Sequence, residues 1–506
     1  MIRVLGAQKT GRTLAGGESH AWVRNGAGVI LSKLTHGKLR AVQSFNLTIN
    51  ERKVMLCLGD FCVACLAGFL ALWFWSFTRA KSFLGDLQAF WGAVLFISTV
   101  WILLMWAFDL YTPGLTTKTN RVAQRFLGVS IASLTIYLML FFLAPRDLLP
   151  RLPVLYFVVV AFGAGVAWRL KYAPSIASSA FQQRLLIIGA GWAGRALAQA
   201  MLDRKLADFE IVGFVDDDLF LQKPKVLGFP VLGSVSNTLE IAKQHQVNTI
   251  VYSITHQLRV GIFKILLDCQ SSGIPIVQMP TLYEALTERV PVQHVANDWL
   301  LPAGLAGGQI SLSYRLFVMI IDYLFCLLGG IFLIVFGPLL AALIKLDSEG
   351  PVFYAQNRVG QGGRLFKLAK FRSMIVNAEQ ENGPQWATDN DPRITRVGKV
   401  LRRMRLDELP QIINILRGEI HLIGPRPERP EFYAELEREI PFYSVRLAVK
   451  PGLTGWAQIK YRYGSSVEET LVKLQYDLYY IKNRSPLLDL KILLRTIWKI
   501  LSFSGT

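Results

Sequence analysis

The densest chemistry in the sequence is the run Arg402-Arg403-Met404-Arg405-Leu406-Asp407-Glu408-Leu409-Pro410-Gln411, which sets two adjacent carboxylates behind three arginines. Arginines so placed hold carboxylates ionised at neutral pH and attract phosphate. Standing alone, such a run reads as a solvated charged helix end. It has company. Gly424-Pro425-Arg426-Pro427-Glu428-Arg429 fixes an arginine between two prolines, whose locked φ angles reduce the entropy lost in presenting it. Lys370-Phe371-Arg372 puts two cations on one face of an expected strand, because side chains alternate with period two. Cations clustered around a carboxylate pair suit a diphosphate substrate bound with a divalent cation. No Gly-x-x-x-x-Gly-Lys-Ser/Thr loop occurs, which excludes a P-loop NTPase.

A second constellation is Gly189-Ala190-Gly191-Trp192-Ala193-Gly194, directly after the apolar run Leu185–Ile188. Glycines at that spacing allow a tight turn and close approach of a phosphate to a helix N-terminus. Asp216-Asp217-Asp218 follows a second run, Ile211–Val215, about where a ribose-binding acid belongs. Gly189, Gly191, Gly194 and Asp216 are therefore candidates for nucleotide binding. Further strand-like runs at Thr249–Ser253 and Ile274–Met279 interleave with helical stretches near 192–203, 236–246 and 258–270. The alternation predicts a parallel sheet with crossovers over 180–300, a Rossmann-like α/β domain. No Tyr-x-x-x-Lys pair occurs there, and Trp192 would crowd a pyrophosphate. A bound nucleotide or allosteric ligand and a structural, oligomerising role stand as equal readings.

The elements that hold these groups are set by composition. Of 506 residues 52% are hydrophobic and 18% charged, against roughly 25% charged in an average soluble domain. Lys and Arg number 55 against 36 Asp and Glu, so the chain is apolar and basic together, at +19. That pairing points to a membrane protein on an anionic surface and argues against a disordered tail, a secreted disulfide scaffold or a nucleic-acid binder. The cysteines Cys57, Cys62, Cys65, Cys269 and Cys326 have no metal-ligand spacing. Apolar runs at Val54–Thr78, Ala89–Tyr111, Phe126–Ala144 and Leu152–Ala167 read as four transmembrane helices within 54–170, the last of borderline length. Asp60 and Asp109 read as near-interface positions. The basic segment 1–53, read as no signal peptide, and the basic loop with Lys118, Arg121 and Arg125 put both ends of this unit in the cytoplasm.

A fifth run, 316–344, could span on length, but Gly337-Pro338 interrupts it and basic residues flank both sides. A broken, re-entrant helix is expected there. Near the C-terminus, Lys491, Arg495 and Lys499 recur at i, i+4 beside Leu490, Leu494, Ile497 and Trp498. This stripe fits either an interfacial helix with cations on lipid phosphates or a helix packed on another domain.

Taken in order, Lys345-Leu346-Asp347-Ser348 with Gly350-Pro351-Val352-Phe353, Lys370–Met374, Asp391-Pro392-Arg393-Ile394-Thr395, Leu406–Gln411 with Asn414, Gly424–Glu428 and Pro451-Gly452-Leu453-Thr454-Gly455-Trp456-Ala457-Gln458 carry a resemblance. From Tyr314 to about Leu494 the chain resembles the membrane-associated phosphoglycosyl transferases that start bacterial surface-polysaccharide synthesis. As a whole it resembles the large polyprenyl-phosphate hexose-1-phosphate transferases. The resemblance implies a membrane protein of mixed class: a four-helix transmembrane N-terminal bundle, the Rossmann-like domain, and an α-rich catalytic domain over 312–506 containing the re-entrant helix. It implies transfer of a sugar-1-phosphate, glucose or galactose foremost, from a UDP-sugar to undecaprenyl phosphate, with release of UMP. Asp407 would attack the sugar-bearing phosphorus and form a covalent intermediate. Mg²⁺ is the implied cofactor, held by Asp407 with Glu408 as a second candidate. Glu408 would assist catalysis, and Lys370 and Arg426 would clamp phosphate, with Arg372, Arg393, Arg405 and Glu428 as further substrate-binding candidates. Expected partners are the two substrates, membrane lipid and a second copy as homodimer, with no nucleic acid. The expected location is the bacterial inner membrane, catalytic domain in the cytoplasm. One departure stands at the membrane-helix break, where this group commonly has Ser-Pro and this chain has Gly337-Pro338. Readings from other classes are a membrane-anchored NAD-dependent nucleotide-sugar oxidoreductase and an inactive scaffold.

Overall fold

The structure is a computed structural model, and it describes residues 49–80, 82–111, 119–143, 151–176, 183–204, 209–218, 225–254, 260–294, 311–376, 378, 391–461 and 466–501. Most of the expected N-terminal segment, and the Lys118 end of the basic loop, lie outside them.

Among the described residues four apolar helices come first: α1 (Ile49–Thr78), α2 (Phe83–Ala107), α3 (Thr119–Leu143) and α4 (Arg151–Ile176). The last, borderline in sequence, has 26 residues, enough to cross hydrocarbon. Their shared core centres on Trp101, Phe126 and Phe157, with Trp101 edge-on to Phe157. Asp60 is buried rather than interfacial. Its carboxylate takes a two-nitrogen ion pair from Arg169 of α4, whose Nη1 also donates to the Leu110 carbonyl at 2.9 Å. A lone carboxylate among apolar helices is costly, and the guanidinium supplies the compensating charge.

The α/β module follows: β1 (Gln183–Ile188), α5 (Trp192–Arg204), β2 (Phe209–Val215), β3 (Lys225–Val226), β4 (Phe229–Gly233), α6 (Thr238–Gln244), β5 (Thr249–Tyr252), α7 (Val260–Ser271), β6 (Ile276–Gln278) and α8 (Met279–Thr287). Strands run in the order β3-β4-β2-β1-β5-β6, parallel except for the β3–β4 hairpin. Leu185–Ile188 are fully buried, as expected for the centre of a sheet covered on both faces. The sequence reading lacks β3 and β4. Two residues make too short a signal, and Pro230 and Gly233 read as loop.

The C-terminal region holds α9 (Leu312–Asp347), the hairpin β7 (Phe353–Val359) and β8 (Leu365–Phe371), α10 (Arg396–Arg403), α11 (Ile412–Leu416), β9 (His421–Ile423), α12 (Pro430–Glu439), β10 (Gly452–Thr454), α13 (Trp456–Lys460), α14 (Val467–Lys482) and α15 (Pro486–Leu501). Tyr443, Trp456, Leu478 and Ile492 lie in its core. Helix α9 runs through Gly337-Pro338 as one element. One face of it touches the rest of the region from end to end. Tyr314 Oη donates to Asp489 at 2.8 Å, and Asp322 accepts from the Leu422 amide at 2.9 Å. Cys326 and Gly329 meet Ile412, Leu340 and Ile344 share a core with Phe371 and Leu401, and Asp347 accepts from the Val397 amide at 2.8 Å. Ile320, Leu327, Ile334 and Leu346 on the remaining surface are exposed.

Candidate active site

Helix α10 starts at Thr395, whose hydroxyl accepts from the Gly398 amide at 3.0 Å, a serviceable N-cap. It ends at Met404, and Arg405 turns the chain with φ +56°, a left-handed conformation that costs a non-glycine residue about 1–3 kcal/mol. A 3₁₀ turn, Leu406–Gln411, follows and buries Asp407 and Glu408 at 7% and 6% exposure. Asn414 fastens this turn to β8. Its Oδ1 accepts from the Ala369 amide at 3.0 Å and its Nδ2 donates to the Lys367 carbonyl at 2.8 Å. That lock brings Lys370 of β8 to the carboxylates. On the other side, Gly424 and Gly452 approach so closely that a Cβ on Gly452 would collide with the Gly424 backbone. This packing of β9 against β10 sets the Pro425-Arg426-Pro427 loop over the turn.

The two carboxylates are treated differently. Glu408 is surrounded: Arg426 Nη2 donates to Oε1 at 2.7 Å, Lys370 Nζ lies 3.5 Å from the same oxygen, and Arg405 Nη1 lies 3.5 Å from Oε2. Burial opposes its ionisation, but Arg426, Lys370 and Arg405 outweigh it and hold the carboxyl well below the ordinary range. Asp407 accepts no hydrogen bond among the described residues. Burial, and then the charge of Glu408, push its carboxyl up, with Lys370, Arg402 and Arg426 acting against the rise. Burial also pulls the Lys370 ammonium down. The site thus holds one carboxylate kept ionised and in place by three cations and one desolvated carboxylate that accepts no hydrogen bond among the described residues.

Of the residues singled out in the sequence, Asp407, Glu408, Lys370, Arg405 and Arg426 come together. Arg372 does not join them. Strand β8 ends at Phe371, so the period-two argument fails one residue too late, and Arg372 instead caps the end of α9. Its guanidinium donates to the Ser348 carbonyl at 2.6 Å and the Glu349 carbonyl at 2.8 Å. Arg393 is engaged by Asp391, with Nη2 to Oδ2 at 2.6 Å. Glu428 faces Arg358 at 3.6 Å and accepts from the Arg429 amide. Gly337 and Pro338 lie inside α9. In the α/β module, Asp216 turns back on the glycine turn: its Oδ2 accepts from the Ala190 amide at 2.7 Å, a donor that a phosphate would need. Gly194 is required by packing, since a Cβ there would strike the Gly189 carbonyl, while Gly191 faces open space.

Two site residues went unselected. Arg402 carries a buried Nη1 with no partner among the described residues and acts electrostatically on Asp407. Gln458 Oε1 accepts from Arg426 Nη1 at 3.3 Å. An arginine can only donate, so this bond fixes the amide orientation and leaves Gln458 Nε2 buried without an acceptor among the described residues. The signals were present, as one more arginine in the basic run and the last residue of the Gly-Trp-Ala-Gln motif.

No group of three or more Asp, Glu, His and Cys gathers as a metal site among the described residues. Magnesium ions commonly take one or two carboxylates and complete their shell with substrate phosphates and water. Asp407, with unused lone pairs in a cationic surround, fits that role; Glu408, saturated by three cations, fits it poorly.

Residues 313–503 match the family described as bacterial sugar transferase, and residues 106–280 one described as a CoA-binding domain. A UDP-galactose-lipid carrier transferase of Erwinia amylovora is 30% identical over 372 residues, covering 69% of this chain and 73% of that one. The chain belongs to the bacterial sugar transferase family. Within it, a UDP-N-acetylgalactosamine-undecaprenyl-phosphate N-acetylgalactosaminephosphotransferase of Aeromonas hydrophila is 44% identical over 240 residues, 47% of this chain and 55% of the relative. A UDP-glucose:undecaprenyl-phosphate glucose-1-phosphate transferase of Xanthomonas campestris is 36% identical over 279 residues, 54% and 57% respectively. The matches thus span little more than half the length of these last two relatives. Among the described residues five helices are long and apolar enough to cross a membrane, which fits a membrane-associated sugar transferase.

Proposed function

We propose that this sugar transferase moves a sugar-1-phosphate from a UDP-sugar to undecaprenyl phosphate through a covalent intermediate on Asp407. The observation that carries the reading is the asymmetry of the carboxylate pair. A nucleophile needs free lone pairs and little hydration, and Asp407 has both, whereas Glu408 has a cation against each oxygen. In the first step an Asp407 carboxylate oxygen bonds to the sugar-bearing phosphorus, the bond from that phosphorus to the bridging oxygen breaks, and UMP leaves. In the second, an oxygen of the lipid phosphate bonds to the same phosphorus, the acyl-phosphate bond breaks, and Asp407 is regenerated. Lys370 and Arg426, poised on Glu408, supply positive charge to the phosphoryl oxygens as charge develops. Glu408 holds both cations in place. Magnesium bound at Asp407 would neutralise diphosphate oxygens.

Helix α9 supports a non-spanning anchorage. A helix packed on the enzyme's own domain from Tyr314 to Asp347 keeps both ends beside that domain, with Ile320, Leu327, Ile334 and Leu346 left for lipid. With the basic loops, this favours the inner membrane with the transferase region in the cytoplasm. The relatives named for glucose, galactose and N-acetylgalactosamine make those three the first donors to try.

The test is a donor panel with purified full-length protein, undecaprenyl phosphate and Mg²⁺. One UDP-sugar should release UMP, Asp407→Asn should abolish release, and Gly191→Ala should leave it near wild type. Release that survives Asp407→Asn, or depends on Gly191, would overturn the reading.

A further inference from the structure

The C-terminal basic stripe does not face lipid. Lys491 and Arg495 of α15 reach Asp109, just past the end of α2: Lys491 Nζ is 2.9 Å from Oδ1, Arg495 pairs with Oδ2, and Arg495 Nε donates to the Ala107 carbonyl at 2.6 Å. Lys460, the last residue of α13, joins the same carboxylate at 3.1 Å. Lys460 and Lys491 also bind Glu288, just after α8 of the α/β module, the latter at 3.1 Å. Lys499 donates to the Gln458 carbonyl at 3.1 Å. Three cations meet two carboxylates, and the Trp456 ring face takes the surplus, with Lys460, Lys491 and Arg495 at 4.7, 5.1 and 5.7 Å from its centre. Both acidic residues sit in left-handed backbone, with φ of +58° and +56°, so each segment holds a strained shape to present its carboxylate.

The helix gripped in this way is short and leads into the site. Helix α13 has Trp456 in the cation cluster, Gln458 on Arg426 and Lys460 on both carboxylates. We infer that Asp109 and Glu288 are positioning residues for the transferase site: one from the membrane helices and one from the α/β module, they hold α13 through Lys460 so that Gln458 fixes Arg426 against Glu408. The two N-terminal modules thus complete the geometry of a site although none of their described residues bonds to Asp407 or Glu408. This inference rests on the transferase reading for its activity readout and on the geometry alone for its structural one.

The experiment is a mutant cycle on the full chain, with kcat/KM for UMP release and amide exchange of residues 456–460 measured together. Asp109→Asn should lower kcat/KM by about 10- to 100-fold, the scale on which a small displacement of a positioning group acts, and should speed exchange in α13. Gln458→Ala should cost a similar factor, and Asp109→Asn should add nothing in that background, because both break one chain of contacts. Glu288→Gln should behave like Asp109→Asn, and Asp109→Glu should recover part of the rate. Losses that multiply across the cycle, or a lower melting temperature with unchanged kcat/KM, would overturn the inference. Should the wild-type chain release no UMP, the transferase reading fails, and unchanged exchange in Asp109→Asn would overturn the grip on α13 independently.

Discussion

Two buried clusters of opposite charges are joined through helix α13, which meets one through Trp456 and Lys460 and the other through Gln458, and they are built differently. At the junction, Asp109 and Glu288 are both covered by lysine or arginine, and both carboxyls lie below their ordinary range despite burial. At the site, Glu408 is held the same way, but Asp407 beside it is shifted up and accepts no hydrogen bond among the described residues. A cluster that only binds modules together sets cations directly on each carboxylate, because an unpaired buried charge is expensive. A cluster that reacts leaves one unsatisfied. The contrast between Asp407 and the other three supports its proposed role as the nucleophile.

The largest effect that would break this contrast is Asp407→Asn, which should reduce UMP release to background with little loss of stability, since no hydrogen bond to that side chain is lost. Next, Arg426→Ala should lower kcat by about 10²–10³-fold, the usual loss on removing one oriented donor. Arg426→Lys should recover only part, because an ammonium cannot hold Glu408 and Gln458 together as the planar fork does.

The difference between the paired carboxylates also has a pH signature. On the proposed mechanism Asp407 attacks as the carboxylate, and burial and Glu408 push its pKa up, so kcat/KM should fall on the acid side as Asp407 takes up a proton. Removing the like charge in Glu408→Gln lowers the Asp407 pKa, and the acid limb should move to lower pH while the plateau drops. A limb that stays put would separate Asp407 from the titration. A smaller effect is expected away from both clusters. Arg372→Ala, which uncaps α9, should reduce unfolding stability by about 1–3 kcal/mol in a denaturant titration and change kcat per folded enzyme little.

Much of this was legible in the residues. The four N-terminal helices follow from apolar length, and the parallel sheet from apolar runs alternating with helical stretches. The meeting of Asp407, Glu408, Lys370, Arg405 and Arg426 follows from their residue types. What was not legible depends on what lies opposite. The i, i+4 spacing of Lys491, Arg495 and Lys499 defines a stripe, and lipid phosphate and protein carboxylate are equally good partners for it. Only the fold shows that Asp109, far away in sequence, is the partner. Arg372 was misplaced for a local reason, the end of β8 one residue earlier. Gln458 ends a recognisable motif, but as an uncharged amide it has no chemistry that assigns it to the site until the fold sets it beside Arg426.

In the proposed reaction Asp407 becomes covalently bonded to the sugar phosphate. The direct measurement is intact and peptide mass spectrometry of full-length protein mixed with its UDP-sugar and Mg²⁺ in the absence of lipid acceptor. One equivalent of UMP and a sugar-phosphate mass increase on the peptide containing Asp407 should appear, both lost in Asp407→Asn and the adduct discharged by undecaprenyl phosphate. UMP released only when the lipid is present, with no adduct on that peptide at any time, would contradict it.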